Sequence, residues 1–237
     1  MSRPARHLLP LLALSCVLGT VQAATWPSLA LPPRSQGASV GEELRVNGLP
    51  TRIQRFQSEL SVAELLAHYQ RLWGAGQPAR ARPLSQGDWQ AVASLQPPFQ
   101  LVLQVRPAAQ GGSEGLLSVA NLADLQRDYI PRGFPTFADT RIVQVTDSQD
   151  SGQHSVLVQQ SSRAGFALNV DRWRREWQRQ GFQLTQEAQM PTAAGQGRGW
   201  TAFFDRQGAS VEVSVAELTP GGDVAVTVHQ LRRSGRP

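Results

Sequence analysis

The chain carries the same series of structural punctuation twice, and a repeated series restricts it to folds built from two similar units. Asn47-Gly48 is a tight hairpin signal between apolar-alternating runs at 43–46 and 51–57. Ser61-Val62-Ala63-Glu64 then forms a capping box, in which the serine oxygen takes an orphan amide and the glutamate reaches back. The helix it starts places Val62, Leu65, Leu66, Tyr69, Leu72 and Trp73 on one side, and Gly74 stops it. Strand-like runs follow at 89–95 and 99–105, then a Gly111-Gly112 turn and a run at 116–122.

The second series opens with runs at 141–146 and 155–160 around a polar turn ending at Gly152. Asn169 is the expected cap of a second helix, with Val170, Trp173 and Trp177 at helical spacing and Gly181 at its end. Runs at 200–204 and 211–215, Gly221-Gly222 and a run at 224–228 complete it. The landmark intervals are 104 from Gly48 to Gly152, 108 from Ser61 to Asn169, 111 from Trp89 to Trp200 and 110 from Gly111 to Gly221. In the helices this register matches Val62 with Val170 and Tyr69 with Trp177. Val211, Val213 and Val215 alternate with Glu212 and Ser214, so one sheet face is buried and the other polar.

The expected fold is α+β: tandem duplicated β-β-α-β-β-β modules, each a mainly antiparallel sheet with one helix on a face. The modules span 39–122 and 141–231, joined by a linker at 123–140 punctuated by Pro131 and Pro135. An extended arm at 24–38 precedes them and a frayed tail at 232–237 follows. The relative arrangement of the modules, side by side or as a pseudo-dimer, stays open, as does the oligomeric state.

Ahead of the arm, Arg3 and Arg6 lead into an apolar run at 8–21 and then Val21-Gln22-Ala23. That order reads as a signal peptide cleaved after Ala23, which points to a periplasmic or secreted protein. The run is shorter than a membrane span and is interrupted by Pro10 and Gly19. Cys16, the one cysteine, lies inside it; its surroundings fit a lipoprotein signal poorly, so it is read as discarded with the leader. Disulfides and thiolate chemistry are then excluded from the mature chain.

All 23 basic residues are arginine, against 18 acids. The absence of lysine removes a Walker-type loop, a Schiff base and a lysine general base. Without Arg3 and Arg6 the net charge is small, a poor footprint for nucleic acid.

Candidate chemistry is sparse. His68, His154 and His229 have no neighbour in sequence that completes a relay, and no Gly-x-Ser-x-Gly elbow is present. Asp147, Asp150 and His154 form a weak metal candidate, competing with a plain hairpin turn. No cofactor is implied. On the second helix Arg172, Arg174, Arg175 and Arg179 form a candidate anion or partner contact. The competing reading is a solvated face, with Asp171 facing Arg175 and Arg172 facing Glu176 at i,i+4 spacing.

The layout resembles that of exported envelope proteins of Gram-negative bacteria, a likeness of class that assigns no residue. The expected function is a non-enzymatic binding or assembly accessory with a protein partner, in an envelope system such as a secretion or pilus apparatus. A periplasmic carrier of a lipid or other apolar ligand is the alternative, with space beside Tyr69, Trp73, Trp173 and Trp177. A hydrolase is a third possibility, needing scattered acids and histidines to converge.

Overall fold

The computed structural model describes residues 25–41, 43–74, 84–150, 152–191, 197–217 and 219–233. The leader and the end of the tail lie outside these residues. Over the described residues the chain is α+β, a mostly antiparallel sheet with two helices. In order it forms β1 (Ser35–Ser39), β2 (Glu43–Val46), β3 (Leu49–Ser58), α1 (Val62–Gly74), β4 (Leu84–Gln86), β5 (Trp89–Gln96), β6 (Phe99–Pro107) and β7 (Ser113–Asn121). It continues with β8 (Thr140–Asp150), β9 (Gln153–Ser162), α2 (Phe166–Arg179), β10 (Gln183–Pro191), β11 (Arg198–Arg206), β12 (Ala209–Glu217) and β13 (Val224–Arg233).

The strands make one sheet ordered β10-β11-β12-β13-β9-β8-β2-β3-β7-β6-β5-β4, with β1 paired to the far end of β3. The central seam is short: Glu43, Leu44, Arg45 and Val46 face Gln149, Ser148, Asp147 and Thr146. Asn47 and Gly48 turn β2 into β3, both at positive φ, as the Asn-Gly signal requires. Gly48 is also a point of close approach. A β-carbon there would lie 2.0 Å from the carbonyl oxygen of Gln126, whose amide bonds to the Gly48 carbonyl.

Each helix covers its own apolar core. Leu65, Tyr69 and Trp73 of α1 are buried against Phe56, Val92, Leu103 and Leu117. Leu72, expected on that side, is instead 56% exposed, because it lies off the stripe set by those three residues. The capping box forms as read: Ser61 N–H donates to the Glu64 carboxylate at 2.8 Å and Glu64 N–H to Ser61 Oγ at 3.3 Å. Those bonds, backbone first, hold the Glu64 carboxyl below the usual range.

The start of α2 departs from expectation. Gly165 is the N-cap and makes no side-chain cap bond, so Asn169 lies inside the helix. It is fully buried there, its amide donating to the carbonyls of Ala164 at 2.8 Å and Gly165 at 3.1 Å. A polar residue that looks like a cap is thus spent inside the first turn. Trp173 and Trp177 are buried with Phe134, Phe182 and Phe204. The segment before β8 joins this core, with Phe134 and Phe137 against the Trp173 ring at 5.9 and 5.1 Å.

Three strands, β1, β4 and β10, were not anticipated. β10 lies at the sheet edge with almost every residue exposed, so its sequence shows no apolar alternation.

Candidate functional site

The two cores lie on one face of the sheet, as the pairing registers demonstrate. Val145 belongs to the core under α2, so Asp147, two residues on, shares its face, with Arg45 opposite. Arg45 pairs with Pro50, and Arg52, two further on, pairs with Val119 of the core under α1. Between the helices this face is therefore charged, flanked by apolar cores on both sides.

A cleft of about 590 Å³ opens there. Its floor is Glu43, Arg45, Arg52, Asp147, Gln149 and His154, from β2, β3, β8 and β9. Asn121, Asp124 and Gln126 form one wall and Trp26 of the N-terminal arm contributes another. Arg45 donates to the Gly48 carbonyl at 3.1 Å and pairs with Asp124 at 3.3 Å, which ties the linker to the hairpin. Asp147 and His154 meet at 2.8 Å. The Arg52 guanidinium lies over the Trp26 ring, 4.5 Å from its centroid, a cation–π contact. The cleft thus presents donors and acceptors of both signs.

Of the metal candidates, Asp147 and His154 meet in this cleft, while Asp150 falls on the opposite face by alternation, three residues on. Among the described residues no three metal-ligating side chains gather. His68 is on α1 against Tyr69, and His229 is on the uncovered sheet face, bonded to Ser155 at 2.8 Å. Beside that serine–histidine contact β9 is laddered on both sides, so its own amides are taken up by β8 and β13.

Each arginine of the α2 face has its own carboxylate. Arg172 pairs with Asp139 at 2.7 Å, Arg174 with Glu187 at 2.7 Å, Arg175 with Asp171, and Arg179 with Glu176 at 2.6 Å. The Asp171–Arg175 pair is the expected one. Arg172 reaches Asp139 rather than Glu176. Hydrogen bonds from Arg174, then Trp200, hold Glu187 below the usual carboxylate range, and Arg179 does the same to Glu176. Tyr69, Trp73, Trp173 and Trp177 are buried, and among the described residues five clefts of about 420–740 Å³ are lined by none of them. Among the described residues no helix is long and apolar enough to cross a membrane.

The cleft was missed in the sequence because its charges come from five separate segments. Only the Asp147 to His154 spacing was visible, and it read as a turn.

Neither a known family model nor a curated protein matches the chain. Among solved structures it is similar to a "Conserved Protein of Unknown Function with Hot dog Fold" from Alicyclobacillus acidocaldarius. Identity is 10% over 78% of this chain and 94% of that one, with a TM-score of 0.18, too low to carry an argument.

Proposed function

We propose that the chain is a non-enzymatic exported protein of the cell envelope, a binding or assembly accessory for a system such as a secretion or pilus apparatus. In this reading it consists of two copies of one α+β unit, and the cleft at their seam receives a protein partner.

The seam register supports the duplication. Leu44 faces Ser148, 104 positions later, and Gly48 and Gly152 stand the same interval apart. A strand paired with its own counterpart implies a pseudo-twofold axis through that pair, the geometry of an isologous dimer. The interval persists: Ser58 and Ser162 each accept the amide two residues on, and buried Leu65, Tyr69 and Trp73 correspond to Asn169, Trp173 and Trp177. The helices therefore match one turn earlier than Asn169 as a cap implies. Farther on the interval is 110, since Leu103 faces Val92 as Val213 faces Ala202. Trp200 then corresponds to Gln90 rather than Trp89.

The observation that carries the function is the position of the charged cleft on this axis, since ligand sites favour junctions between units. The paired arginines of α2 are a weaker candidate, being already neutralised. An apolar carrier would need space beside rings that are instead packed, which weighs against it. Export rests on the leader sequence. The test is a photo-crosslinking residue placed at Gln126 on the cleft wall and at Ser214 on the uncovered face, in cells. A recurrent envelope-protein adduct from the first position alone supports the reading. Absence of any adduct at Gln126, or equal adducts at both, counts against it.

A further inference from the structure

We infer that β10 is a self-pairing edge: two copies of this chain join antiparallel along Gln186–Met190, about a twofold axis through Ala188, into one continuous sheet. The joint is independent of the cleft and its partner, because the cleft lies at β8 and β2, well inside the sheet.

A strand at the end of a sheet exposes a row of unpaired backbone N–H and C=O groups. Proteins guard such rows by shortness, outward charge, proline or a bulge. At the other end of this sheet β4 is only three residues long. β10 has nine residues and, among the described residues, pairs only with β11. It contains no arginine, in a chain whose basic residues are all arginine. Its one charged side chain, Glu187, is turned onto α2, held by Arg174 at 2.7 Å and by the Trp200 indole N–H at 2.9 Å. The guards it does have stand at its ends, a bulge between Leu184 and Gln186 and then Pro191. Between them lies a flat stretch of five exposed residues with no bare charge.

That stretch complements itself. With the axis at Ala188, the two alanines face each other, Glu187 faces Gln189 of the second copy and Gln186 faces its Met190. The side chain that meets its own copy is then the smallest in the strand, and the carboxylate meets an amide. Thr185, at the bulge, falls opposite Pro191 of the second copy, so the ladder ends where both strands are interrupted. An axis one residue earlier sets Glu187 against Glu187. One residue later, Pro191 enters the ladder opposite Glu187 with no N–H to donate.

Five pairs exceed the four that form the seam of β2 and β8. They span about 17 Å, a joint at the low end of interface area, so association is expected at tens of micromolar. A twofold axis normal to the sheet keeps both helical faces on one side. The two clefts then open in the same direction, roughly 50 Å apart at about 4.8 Å per strand. A partner with repeated segments would engage both.

The experiment is sedimentation velocity of the chain starting at Ala24, over concentrations bracketing that range, joined to cysteine cross-linking. The parent should pass from monomer to dimer. Ala188→Arg brings two guanidinium groups together at the axis and should weaken association at least tenfold with an unchanged urea midpoint, since Ala188 is exposed. Ser214→Arg, on the uncovered face two strands inward, should dimerise like the parent. On oxidation Ala188→Cys should cross-link to its own copy, while Gln189→Cys, equally exposed but facing Glu187, should stay reduced. A mixture of Gln186→Cys and Met190→Cys chains should form the mixed disulfide. A monomer at every concentration overturns the inference. So does a dimer indifferent to Ala188→Arg, a dimer weakened as much by Ser214→Arg, or equal cross-linking of Ala188→Cys and Gln189→Cys.

Discussion

Asn47 and Val145 pair as though they were strand neighbours: the Asn47 amide donates to the Val145 carbonyl, and the Val145 amide donates to the Asn47 side-chain oxygen, each at 2.8 Å. A turn residue thereby adds one more rung to the seam between β2 and β8, with a side chain standing in for a carbonyl. Asn47 also holds φ at 49°, where asparagine is tolerated better than most residues. Asn47→Gly should therefore lose about 1–2 kcal/mol, the cost of leaving the Val145 amide without its acceptor. Asn47→Ala should lose about 1 kcal/mol more through backbone strain, whereas Asn47→Asp keeps an acceptor and should lie closest to the parent. Urea midpoints at neutral pH give the ranking, and Ala as stable as Gly would contradict it.

Arg172 and Arg175 test which arginines on α2 hold structure together. The Arg172 side chain is only 11% exposed, stacks on Phe137, and bonds Asp139, Ser162 and Asn169. Arg172→Met leaves a buried polar group and a carboxylate unpaired, and should cost about 3 kcal/mol. Arg175 is 68% exposed and pairs only with Asp171, so Arg175→Ala should stay within about 0.5 kcal/mol. Similar losses for the two in chemical denaturation would remove the distinction.

These contrasts mark where sequence reading succeeds and fails. Asn47-Gly48, the Ser61 to Glu64 box and the alternating valines of β12 are local signals, each governed by backbone chemistry within a few residues, and each gave the right element. The polar edge strand β10 carries no alternation because neither face is buried. Asn169 misled because a polar residue near a helix start usually caps it, and here the cap is a bare glycine. The cleft brings Arg45 and Asp147 together through strand register and Asp124 through the segment after β7, which no spacing along the chain encodes.

Tyr69 couples the stability of the core under α1 to alkaline pH. Burial pushes its phenol up to about 12. The folded state therefore favours the neutral form, so this contribution is fully present below about pH 10, the unfolded value, and is lost as pH rises towards 12. We expect stability to fall by roughly 2 kcal/mol over that window, and Tyr69→Phe to flatten the fall. Absorbance at 295 nm should show one of the chain's two tyrosines ionising late. Simultaneous ionisation of both near pH 10 would contradict this.

Gln160 gives a prediction of opposite sign. It is buried beside the core under α2, with neither side-chain amide atom hydrogen-bonded to another group. Replacing it by an apolar side chain of similar volume removes the desolvation penalty, so Gln160→Met should raise stability by about 1 kcal/mol. A loss in thermal or urea midpoint would mean that the amide has a role the packing does not reveal.

The seam register underlies both the proposed duplication and the cleft, and a paired-cysteine measurement reads it directly. A chain starting at Ala24 lacks Cys16 and so carries no thiol. Leu44 and Ser148 are direct partners across antiparallel strands, within the Cα separation a disulfide needs. Oxidation of Leu44→Cys with Ser148→Cys should go essentially to completion in the folded chain, while Leu44→Cys with Asp147→Cys, one residue out of register and on opposite faces, should stay reduced. Equal or absent cross-linking in the two would contradict the seam, and with it the cleft.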